Sequence, residues 1–171
     1  MRGQRRDPAT KNSAQVTFYN HPAVVRFYNR IIAVLLRLGA PMGPMALLTV
    51  AGRTTGKPRS TPVALNPDGT GWSLTAAYGV GDWVKNLRAA GEATITRRGR
   101  RVHVIATELH PREAAPHLRQ IWASTGSATR KMLAPYYDTP DDAAIEAWER
   151  EAERHPMFHL RPTASAALPH H

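Results

Sequence analysis

The chain has 171 residues, a length that suits one domain with a sizeable hydrophobic core. It carries 23 Lys and Arg against 13 Asp and Glu, and the net charge of +10 favours anionic partners such as nucleic acid, a membrane surface or an acidic small molecule. Cysteine is absent, which excludes disulfides, thiolate metal ligands and cysteine nucleophiles.

The ends of the chain differ in composition from its middle. The first fifteen residues are polar and basic, without the apolar core or cleavage site of a signal peptide. We therefore expect a disordered basic arm over residues 1–15, one domain over 16–162 and a flexible tail over 163–171. The lack of cysteine and of a signal peptide suits a cytoplasmic protein.

The domain is predicted to begin with an amphipathic helix over residues 22–38. Its apolar face is broad, and Arg26, Arg30 and Arg37 fall on one narrow stripe. The helix is too short and too charged to span a membrane. It either packs on the domain or lies on an anionic membrane surface.

The centre of the chain alternates strand and turn signals. Apolar runs and turn residues predict strands over 45–51, 59–65 and 71–77, a hairpin over 93–107 around Gly99, and a last strand over 156–160. Helices are predicted over 82–90 and 112–123, and another from the Thr-Pro-Asp-Asp sequence at 139–142. The expected class is α+β, a barrel-like sheet of mainly antiparallel strands with helices around it.

Residues 52–59, Gly-Arg-Thr-Thr-Gly-Lys-Pro-Arg, combine glycines, hydroxyls and three cations in one turn. Glycine allows close backbone approach to a ligand, and exposed N–H groups in a turn can bind an anion. Arg53, Lys57 and Arg59 can neutralise a phosphate or carboxylate. The alternative is a charged surface hairpin without a ligand.

Three aromatic residues also attract attention. Trp83 lies at the start of a predicted helix, after a glycine-containing loop. Trp83 and the Asn86 amide either offer a flat wall and hydrogen bonds to a planar ring, or Trp83 is a core residue and Asn86 a cap or turn residue. Tyr136 and Tyr137 lie in a predicted loop, where they either line a pocket and donate a proton or pack on the surface. The eight histidines show no metal-binding spacing, and no nucleophilic triad is evident.

Residues 52–62 and the sequence Asp-Trp-Val-Lys-Asn-Leu-Arg-Ala-Ala-Gly at 82–91 together resemble the deazaflavin-dependent nitroreductase family, whose members use coenzyme F420. The resemblance implies a split β-barrel fold like that of FMN-binding oxidoreductases. It also implies that the reduced deazaflavin passes a hydride to a substrate. The cofactor-binding residues that it implies are Arg53, Thr54, Thr55, Gly56, Lys57, Arg59, Pro62, Ala76, Ala77, Trp83 and Asn86.

The chain departs from the family pattern at two cations. Thr54 stands where many members have a lysine after the Gly-Arg pair, and Tyr78 stands where many have another lysine. The loop before Trp83 is also shorter. These differences indicate a branch of the family with a different substrate, in which Tyr136 and Tyr137 are the candidate catalytic tyrosines.

We therefore expect an oxidoreductase that reduces a small quinone, nitro compound or enone with F420. The alternatives are an FMN-dependent oxidoreductase and a non-catalytic deazaflavin-binding protein on the same fold. The basic loops lack the interleaved aromatic residues of a nucleic-acid platform, which argues against nucleic-acid binding. The sequence does not determine the oligomeric state. It also leaves open whether the helix over residues 22–38 contacts a membrane surface.

Overall fold

The computed structural model describes the backbone of residues 22–163 and the side chains of residues 30–163. The helices of this part are α1 (Pro22–Arg37), α2 (Asp82–Ala90), α3 (Pro111–Ser124), α4 (Ser127–Leu133) and α5 (Ile145–Arg154), with a 3₁₀ turn at Ala134–Tyr136. The strands are β1 (Met45–Ala51), β2 (Pro58–Ala64), β3 (Asn66–Pro67), β4 (Trp72–Thr75), β5 (Glu92–Arg97), β6 (Arg100–Glu108) and β7 (Met157–Pro162). The predicted arm over 1–15 and residues 164–171 of the predicted tail lie outside the described residues.

These strands form one sheet in the order β2-β1-β5-β6-β7-β4-β3, and every neighbouring pair is antiparallel. β7 comes last in the chain but lies between β6 and β4, so it joins the two parts of the sheet. The sheet curls into a half-barrel with helices around it. The predicted α+β class and split β-barrel are confirmed, and the sheet contains the six predicted strands together with the short β3, which was not predicted.

β1 is covered on both faces, which explains its continuous apolar run. Ala46, Leu48 and Val50 belong to the main core cluster inside the half-barrel, which α2 also joins. Leu47 points to the opposite face because successive strand side chains alternate, and it packs against Leu36 of α1. The predicted packing of this first helix on the domain is thus observed, and among residues 22–163 no helix is long and apolar enough to cross a membrane.

A second core cluster lies between α3, α5 and the start of β7. Leu118 and Trp122 of α3 meet Trp148 of α5 and Met157 of β7, all four of them buried. Trp148 is fully buried, and burial of such large apolar side chains is the main source of helix docking energy. This cluster fixes the end of α5 beside β4 and the 3₁₀ turn.

The predicted helix start at 139–142 is wrong, because the capping side chains bind elsewhere. α5 begins at Ile145. Thr139 donates its hydroxyl to Glu151 over 2.6 Å, and Asp141 accepts hydrogen bonds from Trp122 Nε1 and Arg130 Nη1, both at 2.6 Å. These tertiary contacts replace the local capping that the sequence pattern suggested.

Asp141 should stabilise the fold in a pH-dependent manner. Its pKa is lowered, first by the hydrogen bond from Trp122 and next by that from Arg130. Because the folded pKa lies below the unfolded value of about 3.9, the stabilisation is present above that value and is lost as the pH falls through the folded pKa. We expect Asp141→Asn to lower the urea midpoint near neutral pH, with the difference from wild type narrowing in acid.

The measurement is urea denaturation followed by tryptophan fluorescence at a series of pH values. The neighbouring exposed residue Asp142 provides the charge-matched control through Asp142→Asn. A midpoint difference for Asp141→Asn that stays constant from neutral pH into the acid range would contradict the proposed linkage.

Candidate functional site

The loop between β1 and β2 closes on itself through backbone hydrogen bonds. The last strand pair is Ala51 with Pro58. Within the loop, the Gly52 N–H donates to the Lys57 carbonyl over 3.0 Å, and the Gly56 N–H donates to the Gly52 carbonyl over 2.7 Å. Gly56 has a φ of 66°, a conformation that favours glycine. The glycines of the predicted anion loop therefore shape a compact turn.

The polar side chains of this turn face solvent. Thr54, Thr55, Lys57 and Arg59 are all exposed, and Thr55 accepts a hydrogen bond from the Lys57 N–H over 3.4 Å. The turn thus offers exposed hydroxyl and cationic donors between β1 and β2. This donor set has the chemistry needed to bind a polyanionic group.

Arg53 ties this loop to α2. The Asn86 side-chain oxygen accepts hydrogen bonds from the Arg53 backbone N–H over 3.2 Å and from Arg53 Nη1 over 3.0 Å. Asn86 is buried, whereas Asp82, which pairs with Arg53 Nη2 at 3.1 Å, is largely exposed. The structure therefore brings together the two sequence motifs on which the family resemblance rests. Asp82 is a contact that the sequence analysis did not predict.

Trp83 and Pro62 lie at the border of the core. Trp83 packs against the main core cluster, with its ring centroid 6.0 Å from that of Phe158. Pro62 of β2 is half-buried and lies opposite Leu47 of β1. Because β2 is an edge strand, it tolerates the missing N–H of proline. Of the two interpretations for Trp83, the contact favours a role in the core.

The predicted ring-binding alanines follow β4. Ala76 is buried, and its N–H donates to the Pro156 carbonyl over 2.9 Å. Its own carbonyl accepts from the Gly79 N–H over 2.8 Å and lies 3.0 Å from His155 Nδ1. Ala77 is half-buried against the second core cluster. The chain then runs through residues 78–81 directly into α2.

Tyr136 lies beside this segment. Its ring meets that of Tyr78 edge-on, with centroids 5.2 Å apart. Its carbonyl is 3.0 Å from His155 Nε2, so the same histidine approaches both Ala76 and Tyr136. Tyr78 departs from the family pattern, but no sequence motif predicts it at the site. The histidines show no metal-binding spacing, and no sequence pattern predicts another role for His155.

Tyr137 has a different environment from Tyr136. Its ring stacks between Trp122, at a centroid distance of 4.5 Å, and His155, at 4.1 Å. Burial, and secondarily the negative charge of Glu151, raise the pKa of its hydroxyl. Tyr137 is therefore a member of the second core cluster and holds its proton tightly.

The described residues thus form connected segments that carry two kinds of chemistry. One end is the cationic loop, attached to α2 by Arg53. The other end is the aromatic pair Tyr78 and Tyr136, and residues 76–81 join the two. Within the described part of the chain, no group of three or more His, Asp or Glu side chains is arranged to hold a metal ion.

Comparison with solved structures gives matches of low sequence identity. A solved F420-H2 dependent reductase is 18% identical with a TM-score of 0.43, over 69% of this chain and 93% of its own. PhzG from Burkholderia lata 383 is 16% identical with a TM-score of 0.47, over 85% of this chain and 80% of its own. A FAD-binding protein from Mesorhizobium loti is 13% identical with a TM-score of 0.44, over 78% of this chain and 88% of its own. No functionally curated protein gives a match.

The family comparison is more informative than these structural likenesses. A sequence model described as F420H(2)-dependent quinone reductase matches residues 23–140, well over half of the chain. The match includes the cationic loop, α2 and both candidate tyrosines, and it confirms the resemblance to deazaflavin-dependent reductases. The chain therefore belongs to the family of F420H2-dependent quinone reductases, and its cofactor is coenzyme F420.

Proposed function

We propose that this protein transfers a hydride from reduced F420 to a small quinone. The observation that carries the proposal is the attachment of the cationic loop to α2 through Arg53 and Asn86. That attachment holds the exposed cationic and hydroxyl groups of the loop against α2, which follows residues 76–81 in the chain. A quinone is the favoured acceptor because the family is described by it and because the Tyr78 and Tyr136 rings offer aromatic surface to a planar molecule.

The residues present fit the anionic tail of the cofactor. Lys57 and Arg59 are exposed and supply charge, and Thr54 and Thr55 supply hydroxyl donors. Arg53 is about 40% exposed on its side chain, and its ion pair with the exposed residue Asp82 is a weak competitor for an anion. Gly56 lets the backbone turn at the point where the tail would approach. Ala76, Ala77 and Pro62 would border the ring system, with Trp83 and Asn86 supporting the cleft from α2.

The protein's own contribution to the reaction is binding, orientation and proton supply. Bound reduced F420 supplies the hydride. The loop and α2 would hold the cofactor, so that the acceptor meets it in a near-attack pose against Tyr78 and Tyr136. The Tyr136 hydroxyl is the proposed hydrogen-bond or proton donor to the reduced acceptor, because Tyr137 is stacked within the second core cluster.

The acceptor class is tested with purified protein, reduced F420 and a panel containing a quinone, a nitro compound and an enone. We expect oxidation of F420H2, followed by its absorbance, to be fastest with the quinone. A faster reaction with the nitro compound or the enone would contradict the proposed acceptor. Tight F420 binding without turnover on any acceptor would instead support a non-catalytic binding protein, and an FMN titration provides the comparison for cofactor choice.

The loop cations should determine cofactor affinity. We expect Lys57→Ala and Arg59→Ala each to weaken F420 binding by about 1–3 kcal/mol, roughly 5- to 150-fold in Kd, because each removes a charged hydrogen bond to the tail. F420 fluorescence titration at two ionic strengths measures the change, and the loss should shrink at high salt.

Arg119→Ala, which removes an exposed cation from α3, is the charge-matched control and should leave the Kd within about twofold of wild type, as expected for surface substitutions away from a site. If the loop variants and this control bind F420 equally well, the loop does not hold the tail.

A separate observation concerns the outer face of α1. Ile31, Val34, Leu35 and Leu38 recur at helical spacing and are between 39% and 79% exposed. The tip of the β5–β6 hairpin, which carries exposed Arg98, lies against Gly39 at the end of the same helix.

We propose that this α1 surface contacts an anionic lipid bilayer. Charge complementarity supports this contact. The exposed residues Arg30 and Arg37 are on the same helix as the apolar residues, and the chain has a net charge of +10. Contact of this kind would also bring the protein to lipid-dissolved quinones.

The α1 surface is tested by sedimentation with phosphatidylcholine vesicles, with and without phosphatidylglycerol. We expect binding to the anionic vesicles, and a loss of at least about tenfold in the double variant Val34→Ser with Leu38→Ser, because each apolar side chain contributes about 1.5–3 kcal/mol. Ile105→Ser, which changes an exposed apolar residue of β6, is the control. Undiminished vesicle binding by the double variant would contradict the lipid contact.

A further inference from the structure

His155 lies at a point where three segments of the chain meet. It follows α5 directly, and its side chain is only 3% exposed. Its Nδ1 is 3.0 Å from the Ala76 carbonyl oxygen, and its Nε2 is 3.0 Å from the Tyr136 carbonyl oxygen and 3.2 Å from Glu151 Oε1. All the polar atoms that face the ring in these contacts are therefore hydrogen-bond acceptors.

The protonation state of His155 follows from this arrangement. A carbonyl oxygen can only accept a hydrogen bond, and a neutral imidazole carries one N–H. A neutral ring would therefore leave one nitrogen lone pair directed at a carbonyl oxygen. When both ring nitrogens carry a proton, both carbonyls are satisfied, and the ring is an imidazolium cation.

Glu151 supplies the compensating charge. Its carboxylate is fully buried, and Oε2 accepts hydrogen bonds from Thr139 Oγ1 over 2.6 Å and from Arg154 Nη2 over 2.9 Å. Oε1 is also buried, and within the described residues its recorded polar neighbour is His155. A buried carboxylate oxygen is costly unless a cation or donor compensates it, which an imidazolium does.

The remaining groups around the ring are compatible with a positive charge. The Tyr137 ring lies parallel to the imidazole at 4.1 Å and presents its electron-rich face. The Tyr137 hydroxyl stays neutral because its pKa is raised. Arg154 is partly exposed and pairs with both Glu151 and Asp138, so its charge is shared between two carboxylates.

We propose that His155 is a positioning residue for hydride transfer, an imidazolium that fixes the Ala76 carbonyl and the Tyr136 carbonyl relative to each other. Ala76 leads into Tyr78, and Tyr78 contacts Tyr136, so the histidine sets the geometry of the aromatic pair against the segment proposed to border the cofactor ring. This role rests on the proposed function. It matters because a displacement of about 1 Å in a reacting pair can cost on the order of a hundredfold in rate.

The protonation state is tested first, on the wild-type protein and without any cofactor. Nitrogen-15 NMR of the histidine side chains, with His155 assigned by the signals that disappear in His155→Gln, should show protons on both ring nitrogens at neutral pH. A His155 ring with one unprotonated nitrogen would contradict the proposed imidazolium and its link between the two carbonyls.

The positioning role is tested by kinetics on the same variants. We expect His155→Gln to lower kcat/KM for the acceptor by about tenfold or more, in line with the geometric sensitivity of such reactions, while the Kd for F420 stays within about twofold. Glu151→Gln keeps an oxygen that can accept the Thr139 hydrogen bond but removes the negative charge that compensates the imidazolium. This variant should also lower kcat/KM for the acceptor. His159→Gln, on β7 with Asp68 as its partner, is the matched control and should behave like wild type.

The outcomes separate the two proposals. If His155→Gln folds and reduces the quinone as fast as wild type, the positioning role is wrong while the reductase function stands. If His155→Gln does not fold, the same comparison is made with Glu151→Gln, and unchanged kinetics there overturn the role. If wild-type protein does not oxidise F420H2 with any acceptor, both the function and the positioning role fail, while the NMR result still decides whether the imidazolium exists.

Discussion

A buried amide oxygen on α2 holds the cationic loop in place. The Asn86 oxygen accepts two hydrogen bonds from Arg53, one from the backbone and one from the guanidinium, so it restrains the position of the loop and the direction of its first cation. Exposed charged loops ordinarily sample many conformations, and ordering them costs entropy. Part of this entropy cost is met within the folded protein, so that under the proposed function the loop would be preorganised for the anionic tail of the cofactor.

The aromatic pair and the cationic loop of the site are linked through residues 76–81 and α2. Residues 76–81 leave β4 at Ala76 and enter α2 at Asp82, so they connect the aromatic pair to the anchored loop. Ala76 is fixed by Pro156 and His155, which belong to the last part of the chain before β7. The order of the sheet makes this possible, because β7 lies directly beside β4. Under the proposed function, the loop would hold the anionic tail of the cofactor and residues 76–81 would border its ring.

Several local predictions held because they depend on short-range physics. The run at 45–51 forms β1 with the predicted limits, Gly91 ends α2 in a left-handed conformation, and Arg98 with Gly99 makes the tight turn of the β5–β6 hairpin. The prediction for 139–142 failed because Thr139 and Asp141 bind Glu151, Trp122 and Arg130, partners that no local pattern identifies. The roles of the individual site residues stay predictions, and the structure shows only which of them meet.

The sequence by itself determined the strands and turns, the cationic loop and the family, because periodicity, glycine positions and the order of two motifs are properties of neighbouring residues. The tertiary structure alone decided that Arg53 meets Asn86, that Tyr136 faces Tyr78 while Tyr137 stacks between Trp122 and His155, and that a buried histidine approaches two carbonyls. These contacts join residues between 15 and 79 positions apart in the chain. They depend on how helices dock on the curled sheet, which is set by the fit of buried side chains from the whole core and not by any single segment.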